Sequence, residues 1–377
     1  MFFLLLKTMN STLQFPFYAK FTCVAIGAIA VVFTLYIGQQ IILPIIYATI
    51  IAILLNPLVN FFTRHSINRV LAISISVMVA IIVTLGLVWF ISVQATLFSE
   101  TYPQLKIKFN QTSAQLIHWI SQNFNIKANK INIWINETQR DAIRNMGGAI
   151  GNIITAINSF LIIIVLLPVY LFMILFYKNL LLEFIRKLFS SSQQPEVGEV
   201  LISSKKIIQS YLSGLLIEAA IVATLNSTGL LILGIDYAII LGVTGALLNV
   251  IPYIGGVIAI ALPMIIAFVT KESITDVFLV FGVYMIIQFI DNHFIIPRIV
   301  ASKVKINALV SIIVVLAGAA LWGIPGMFLS IPLTAILKLI FDHIEPLKPW
   351  GFLMGNVVSV SNNKNSFKKT VLKKYSQ

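Results

Sequence analysis

The residues best suited to chemistry lie in a short polar stretch, QFIDNHFIIPR at residues 288–298, near the end of a long apolar run. At about 100° per residue, a helix places His293 on one side and four polar residues on a single stripe elsewhere, namely Tyr284, Gln288, Asp291 and Asn292. Polar groups in such a run are costly, so the stripe indicates a lining, a seam between helices or a binding site.

A second acid, Glu218, interrupts the apolar segment Tyr211–Leu233. A helical projection puts Glu218 on one face with Tyr211, Gly214 and Gly229, where small residues permit close approach of another helix. Acids within such segments are functional candidates, and the structural alternative is a hydrogen-bonded packing residue. Both interpretations stay open from the sequence.

Composition defines the environment of these acids. Of 377 residues, 59% are hydrophobic and 10% charged, and mean hydropathy is +0.97. A soluble domain carries roughly 25% charged residues, so the composition predicts an all-α, polytopic membrane protein. The net charge of +13 fits cytoplasmic loops rather than nucleic-acid binding. The single Cys23 excludes an intrachain disulfide and a cysteine-based zinc site.

The apolar runs predict six to eight membrane segments within one transmembrane domain. The continuous spans are Phe21–Ile37, Ile41–Phe62, Val70–Leu97, Ala149–Tyr177, Tyr211–Leu233 and Ser273–Ile296. Residues 101–146 are polar with apolar residues at helical spacing, which predicts a small extracytoplasmic amphipathic insert. Residues 360–377 form a basic tail that we expect on the cytoplasmic side.

Two further apolar segments, Tyr237–Val269 and Ala308–Phe341, are too long for one span and too short for two. Each has turn-forming residues in its middle: Asn249, Pro252, Tyr253 and Gly255 in the first, and Gly323, Pro325 and Gly326 in the second. A broken helix exposes backbone polar groups, which survive only within protein or beside water, and transporters use such breaks at their binding sites. We expect re-entrant hairpins, while pairs of proline-kinked spans remain an alternative.

Charge distribution helps to choose a topology. With the N-terminus inside and two hairpins, Arg298, Lys303 and Lys305 become cytoplasmic, although the insert also carries basic residues. Glu218 then lies 12 residues past Lys206 and Asp291 seven before Arg298, so both are roughly 10–18 Å from the cytoplasmic side. The sequence therefore predicts that the two acids share a polar cavity.

The C-terminal third resembles the autoinducer-2 exporter family of bacterial membrane proteins. The resemblance rests on an ordered set of segments over about Tyr211–Trp350: YLSGLLIEA, GIDYAIILGVTGALLNVIPYIGG, QFIDNHFIIPRIVASKVKINALVSI and GAALWGIPGMFLSIP. It implies a multi-pass permease of the bacterial cytoplasmic (inner) membrane that exports a small furanosyl signal or exchanges monovalent cations for protons. Two positions depart from the usual pattern: Leu215 replaces a frequent Gln, and Asn307-Ala308 replaces a frequent His-Pro.

Three classes of function compete. A transporter, with Glu218, Asp291, Asn292 and Gln288 as coupling residues, would move a small molecule or ion using protons or Na⁺. A monovalent cation/proton antiporter and a non-transporting scaffold subunit are the alternatives, with homo-oligomerisation possible. An enzyme is not expected, because zinc-protease, nucleophile-elbow and P-loop motifs are absent and the four histidines are scattered. No cofactor and no metal are predicted, and the partners are substrate and bilayer.

Overall fold

A computed structural model describes residues 16–124, 166–252, 254–271, 273–301, 304 and 306–355. These residues are almost entirely helical, with one isolated bridge between Ile306 and Gly355. The helices are α1 (Phe17–Ile37), α2 (Gln39–Arg64), α3 (Arg69–Phe124), α4 (Leu166–Phe176), α5 (Lys178–Lys187), α6 (Gln194–Ile232), α7 (Ala238–Asn249), α8 (Ile254–Thr270), α9 (Ile274–Ile290), α10 (Ala308–His343) and α11 (Lys348–Met354).

The prediction of a polytopic helical membrane protein is confirmed. Among the described residues, six helices are long and apolar enough to cross a membrane, and the bent pair α4–α5 would make a seventh. The spans begin and end beyond the predicted limits: α6 begins at Gln194 rather than Tyr211, and α3 continues to Phe124. At 1.5 Å per residue, the 56 residues of α3 extend roughly 84 Å, far beyond a hydrocarbon core of about 30 Å.

The long α3 enters the predicted insert at 101–146 without interruption. Residues 125–165 lie outside the described part of the chain, as do the tail at 360–377 and the positions of Lys303 and Lys305. The assignment of insert and tail to opposite sides of the membrane therefore stays a prediction.

The first broken segment is a helical hairpin. Its arms, α7 and α8, contain 12 and 17 residues, which corresponds to about 18 Å and 25 Å, short of a full crossing. The break lies between Asn249 and Ile254 and includes Pro252. A methyl group at Gly255 would overlap the carbonyl oxygen of Leu248, so glycine allows α8 to start directly against the end of α7.

The second broken segment also folds back on itself. Within α10, Gly323 has φ 64° and ψ −142°, a conformation in which glycine is favoured because it lacks Cβ. A methyl group at Gly318 would overlap the Ser330 hydroxyl, and one at Gly326 would overlap the Gly318 carbonyl oxygen. Residues 12 apart on a straight helix are about 18 Å apart, so the two arms are antiparallel neighbours.

Carbonyl groups left free by helix breaks are satisfied by side chains from distant helices. Pro57 cannot donate to Ile53 in α2, and Gln209 Nε2 of α6 donates to the Ile53 oxygen at 2.7 Å. Near the end of α1, Trp322 Nε1 donates to the Leu35 oxygen at 3.0 Å. These bonds fasten α6 and the second hairpin to the first two spans.

Candidate functional site

Asp291 occupies a widened turn. The α-helical turns of α9 end at Ile290, and π-helical turns follow over Asp291–Ile295 and Pro297–Ala301. Wide turns of this kind occur often at functional sites. The Asp291 side chain is 0% exposed. The polar stretch at residues 288–298 therefore contains a fully buried acid at a point where the helix departs from α-helical geometry.

Two side-chain amides, those of Asn249 and Gln288, connect the first hairpin to this acid, and we call these contacts the amide relay. Asn249 Nδ2, at the end of α7, donates to Asp291 Oδ2 at 2.8 Å. Gln288 Nε2 lies 3.5 Å from Asn249 Oδ1, at the limit of a hydrogen bond. Asp291 Oδ1 is buried and has no hydrogen-bond partner among the described residues. One carboxylate oxygen is thus held by the hairpin, and the other is buried without a described partner.

Glu218 lies on the buried face of α6 and is 4% exposed. Its carboxylate is close enough to interact electrostatically with Asp291 and with the hydroxyl of Tyr211. No described lysine, arginine or histidine forms an ion pair with either acid. The two acids therefore lie close together without a positive partner among the described residues, and the polar cavity that they were predicted to share stays a prediction.

Gly256, at the tip of the first hairpin, lies beside the side-chain amides of Asn249 and Gln288. A Cβ at Gly256 would lie 3.4 Å from Asn249 Oδ1 and 3.7 Å from the side-chain amide of Gln288, so glycine leaves room for both amides. Pro252 is half-buried in the break. Tyr253, proposed from the sequence as a break residue, lies outside the described residues.

Asn292 does not join this cluster. Its side chain is exposed and makes no hydrogen bond to another described residue. The neighbouring His293 is also exposed, with its ring stacked on Phe289 at 4.2 Å and Nδ1 3.0 Å from the Phe289 oxygen. The polar stripe therefore contains the buried Tyr284 and Asp291 and the half-buried Gln288. Asn292 points away from it, because Asp291 is the residue of this pair that faces α7.

A second polar level lies further along the same helices. Asn226 of α6 and Tyr284 of α9 are each 2% exposed. A Cβ at Gly245 of α7 would lie 3.3 Å from Asn226 Nδ2 and 3.4 Å from the Tyr284 hydroxyl. Asn226 Oδ1 and the Tyr284 hydroxyl have no partner among the described residues. Asn226 was not among the predicted site residues, although its position eight residues after Glu218 on the same helix was an available signal.

The second hairpin contributes differently. Tyr47 of α2 donates to the Pro325 carbonyl oxygen at 3.1 Å, beside the Gly323 turn. Leu329 and Ala335 of the second arm belong to one buried apolar cluster with Tyr211 and Val300. No described residue of α10 forms a hydrogen bond with Glu218 or Asp291. The break at Gly323, Pro325 and Gly326 is thus anchored to α2 and remains separate from the relay.

A polytopic helical bundle with two apolar segments that break and fold back, and with buried acids, is typical of multi-pass membrane transporters. The profile of the AI-2E family transporter matches residues 25–345. The chain therefore belongs to the AI-2E transporter family, as its sequence resemblance implied, and it is a multi-pass membrane transporter of the bacterial inner membrane.

Relatives in characterised bacteria agree with this assignment. "AI-2 transport protein TqsA" of Escherichia coli is 27% identical over 309 residues, covering 81% of this chain and 87% of TqsA. "Putative transport protein YueF" of Bacillus subtilis is 23% identical over 317 residues, covering 81% and 84%. A second B. subtilis protein with the same description, YrrI, is 26% identical over 312 residues, covering 81% and 87%.

Proposed function

We propose that the protein is a secondary transporter that exports a small polar solute and couples this movement to protons or Na⁺ at Glu218 and Asp291. The observation that supports this most directly is the pairing of two buried acids with no positive partner. The first hairpin would connect the state of the acids to solute movement.

Charge balance motivates the coupling. Two like charges buried close together repel, and removal of each from water is costly. With no described lysine, arginine or histidine paired to Glu218 or Asp291, neutrality requires a bound proton or a small cation. A site that must exchange its cation between states can link solute transport to a cation gradient.

The first hairpin provides a means for that linkage. Asn249 belongs to the hairpin, whereas Asp291 belongs to α9, and their hydrogen bond joins the two elements. Protonation of the accepting oxygen, or binding of a cation there, would weaken this bond because the acceptor loses its negative charge. Release of Asn249 would then loosen the hairpin tip and change access to the two buried acids.

The printed name of TqsA states AI-2 transport for that protein. We therefore propose a small, uncharged polar solute of the AI-2 type as the first candidate substrate for this chain. The polar groups at the two levels are amides, a hydroxyl and carboxylates, which suit a hydroxylated solute through hydrogen bonds.

A monovalent cation/proton antiporter is the second candidate. It is favoured by the unpartnered Asp291 Oδ1 and by the nearby carboxylate of Glu218, because hard cations prefer oxygen ligands. In that case the cation would itself be the cargo, and flux would not require an organic solute.

Flux in proteoliposomes tests both candidates. The full chain is reconstituted, and efflux of AI-2, Na⁺ and protons is measured under imposed pH and Na⁺ gradients. We expect Glu218→Gln and Asp291→Asn each to lower gradient-driven flux at least roughly tenfold, since each removes a titratable group from the coupling site. Na⁺/H⁺ exchange without solute would support the antiporter instead.

Matched controls use the same helices. Glu199→Gln on α6 and Asp276→Asn on α9 make the same chemical changes outside the cluster, and both should retain flux. Flux that ignores both gradients and survives the Glu218→Gln, Asp291→Asn double variant would exclude the coupling mechanism. A purified protein that moves nothing, yet binds a stoichiometric protein partner, would favour a scaffold subunit.

A further inference from the structure

A cluster of cations lies where four elements meet, apart from the two acids. Lys178 begins α5 immediately after the 65° bend that follows α4. Lys178 Nζ donates to Asn56 Oδ1 of α2 at 2.9 Å. Lys205 of α6 and Arg69 of α3 are close enough to act electrostatically on Lys178. Lys178 therefore contacts Asn56 directly, and two further positive side chains lie within electrostatic range of Lys178.

This cluster has no acidic partner among the described residues. The described ion pairs involve Lys187, Lys338 and Lys348 instead. Lys178 is half-buried and lies within electrostatic range of the positive charges of Lys205 and Arg69. The local charge is thus uncompensated, and a bound anion would relieve the repulsion.

A buried donor points to the same place. Asn56 is 5% exposed, and its Nδ2 is buried without a hydrogen-bond partner among the described residues. Its Oδ1 already accepts from Lys178, and both amide atoms share one carbon, so Nδ2 lies beside the lysine. An orphan amide donor next to cationic donors is suited to a phosphate oxygen.

The helix that begins at Lys178, α5, indicates that the phosphate belongs to a lipid. Its apolar side chains Leu180, Leu181 and Phe184 are 62%, 43% and 59% exposed, while Arg186 and Lys187 are near its other end. Amphipathic helices with this pattern lie in the membrane interface, with the apolar face towards the acyl chains. A phospholipid there would put its headgroup at the helix start and its chains along this face.

We propose that Asn56, Lys178, Lys205 and Arg69 form a binding site for the phosphate of an anionic phospholipid, with the apolar face of α5 holding the acyl chains. Arg69 Nη2 also bonds the carbonyl oxygens of Leu175 and Phe176, at 3.3 Å and 3.1 Å, at the end of α4. A lipid bound there would brace the bend between α4 and α5. Basic pockets between helices on the cytoplasmic side bind such headgroups.

Lipid titration of the purified full-length protein tests the site. Binding of phosphatidylglycerol, of phosphatidylcholine and of inorganic phosphate is measured by native mass spectrometry in a mild detergent. We expect phosphatidylglycerol to bind several-fold more tightly than phosphatidylcholine. Each of Lys178→Gln and Lys205→Gln should lower the affinity for phosphatidylglycerol about fivefold, the factor expected for the loss of one basic residue near an anionic lipid surface.

Two further variants distinguish a specific lipid site from nonspecific attraction by positive charge. Lys187→Gln removes the same charge from the same helix, where Lys187 is paired with Glu183, and should leave lipid affinity unchanged. Lys178→Arg keeps the charge and should keep most of the binding if the variant protein folds normally. Equal losses in Lys187→Gln and Lys178→Gln, equal affinity for both lipids, or displacement of phosphatidylglycerol by millimolar inorganic phosphate would each overturn the proposal.

Discussion

The two broken hairpins share a design but differ in what their breaks contact. In the first, the break ends at Asn249, whose amide donates to the buried Asp291. In the second, the break at Gly323 is held by two neutral bonds: Tyr47 of α2 donates to the Pro325 oxygen of the hairpin, and Trp322 of the hairpin donates to the Leu35 oxygen of α1. A polar contact that depends on charge can change with protonation, whereas neutral bonds to backbone carbonyls cannot. The first hairpin is therefore suited to movement and the second to support.

The largest expected effect is a loss of stability in the supporting hairpin. Gly326→Ala would push a methyl group into the Gly318 carbonyl oxygen of the facing arm. Overpacking typically costs about 1–3 kcal/mol, and we expect the upper end here because the clash is with backbone. Thermal unfolding of the detergent-solubilised protein should show a clearly lower midpoint. Flux per folded molecule should be retained, because this hairpin does not bond the acids.

Gly282→Ala on α9 is the control for that substitution. Nothing lies within 4 Å of a Cβ at Gly282, so the same chemical change should be neutral or slightly stabilising through helix propensity. An unfolding midpoint for Gly326→Ala as high as that of Gly282→Ala would contradict the antiparallel packing of the two arms.

The second expected effect concerns flux through the first hairpin. Asn249→Ala removes the only described donor to Asp291, and a hydrogen bond to a charged group contributes about 1.5–3 kcal/mol. Gradient-driven flux should fall at least roughly tenfold, with a smaller change in unfolding midpoint than in Gly326→Ala. Asn292→Ala, which removes an exposed amide from the adjacent helix, should leave flux intact. Equal losses of flux in Asn249→Ala and Asn292→Ala would show that the bond from Asn249 to Asp291 is not required for coupling.

Much of this contrast followed from local sequence. The breaks at Pro252 and Gly323 were predicted because proline and glycine interrupt apolar runs of unsuitable length. The proximity of Glu218 and Asp291 followed from counting residues to the nearest basic loops. Both inferences depend on helix geometry and on hydrophobic length, which are set within one segment.

Other features depend on which segments meet. Asn292 was assigned to the stripe of Asp291, but only one of two consecutive residues can face α7, and packing makes that choice. Asn226 gained importance only through Gly245 and Tyr284, which belong to other helices. The bond from Trp322 to Leu35 joins residues 287 positions apart, and no local pattern could indicate it.

A smaller effect should mark the anchors of the second hairpin. Trp322→Phe removes the donor to the Leu35 oxygen, and loss of one neutral hydrogen bond costs about 1 kcal/mol. The unfolding midpoint should fall slightly while flux per folded molecule stays near that of the unaltered protein. Trp89→Phe, at a side chain that is 70% exposed, provides the comparison. A large loss of flux in Trp322→Phe alone would mean that the second hairpin also moves during transport.

The smallest effect on stability is expected at the second polar level. The Tyr284 hydroxyl is buried and has no described partner, so Tyr284→Phe removes an unsatisfied group and should change stability by less than about 1 kcal/mol. Flux separates the two roles that such a hydroxyl can have. If the level beside Asn226 and Gly245 belongs to the solute or proton path, flux should fall a few-fold although stability is unchanged. Unchanged flux would limit the residues needed for coupled transport to Asn249 and the two acids. The first hairpin would then differ from the second through this one contact with Asp291.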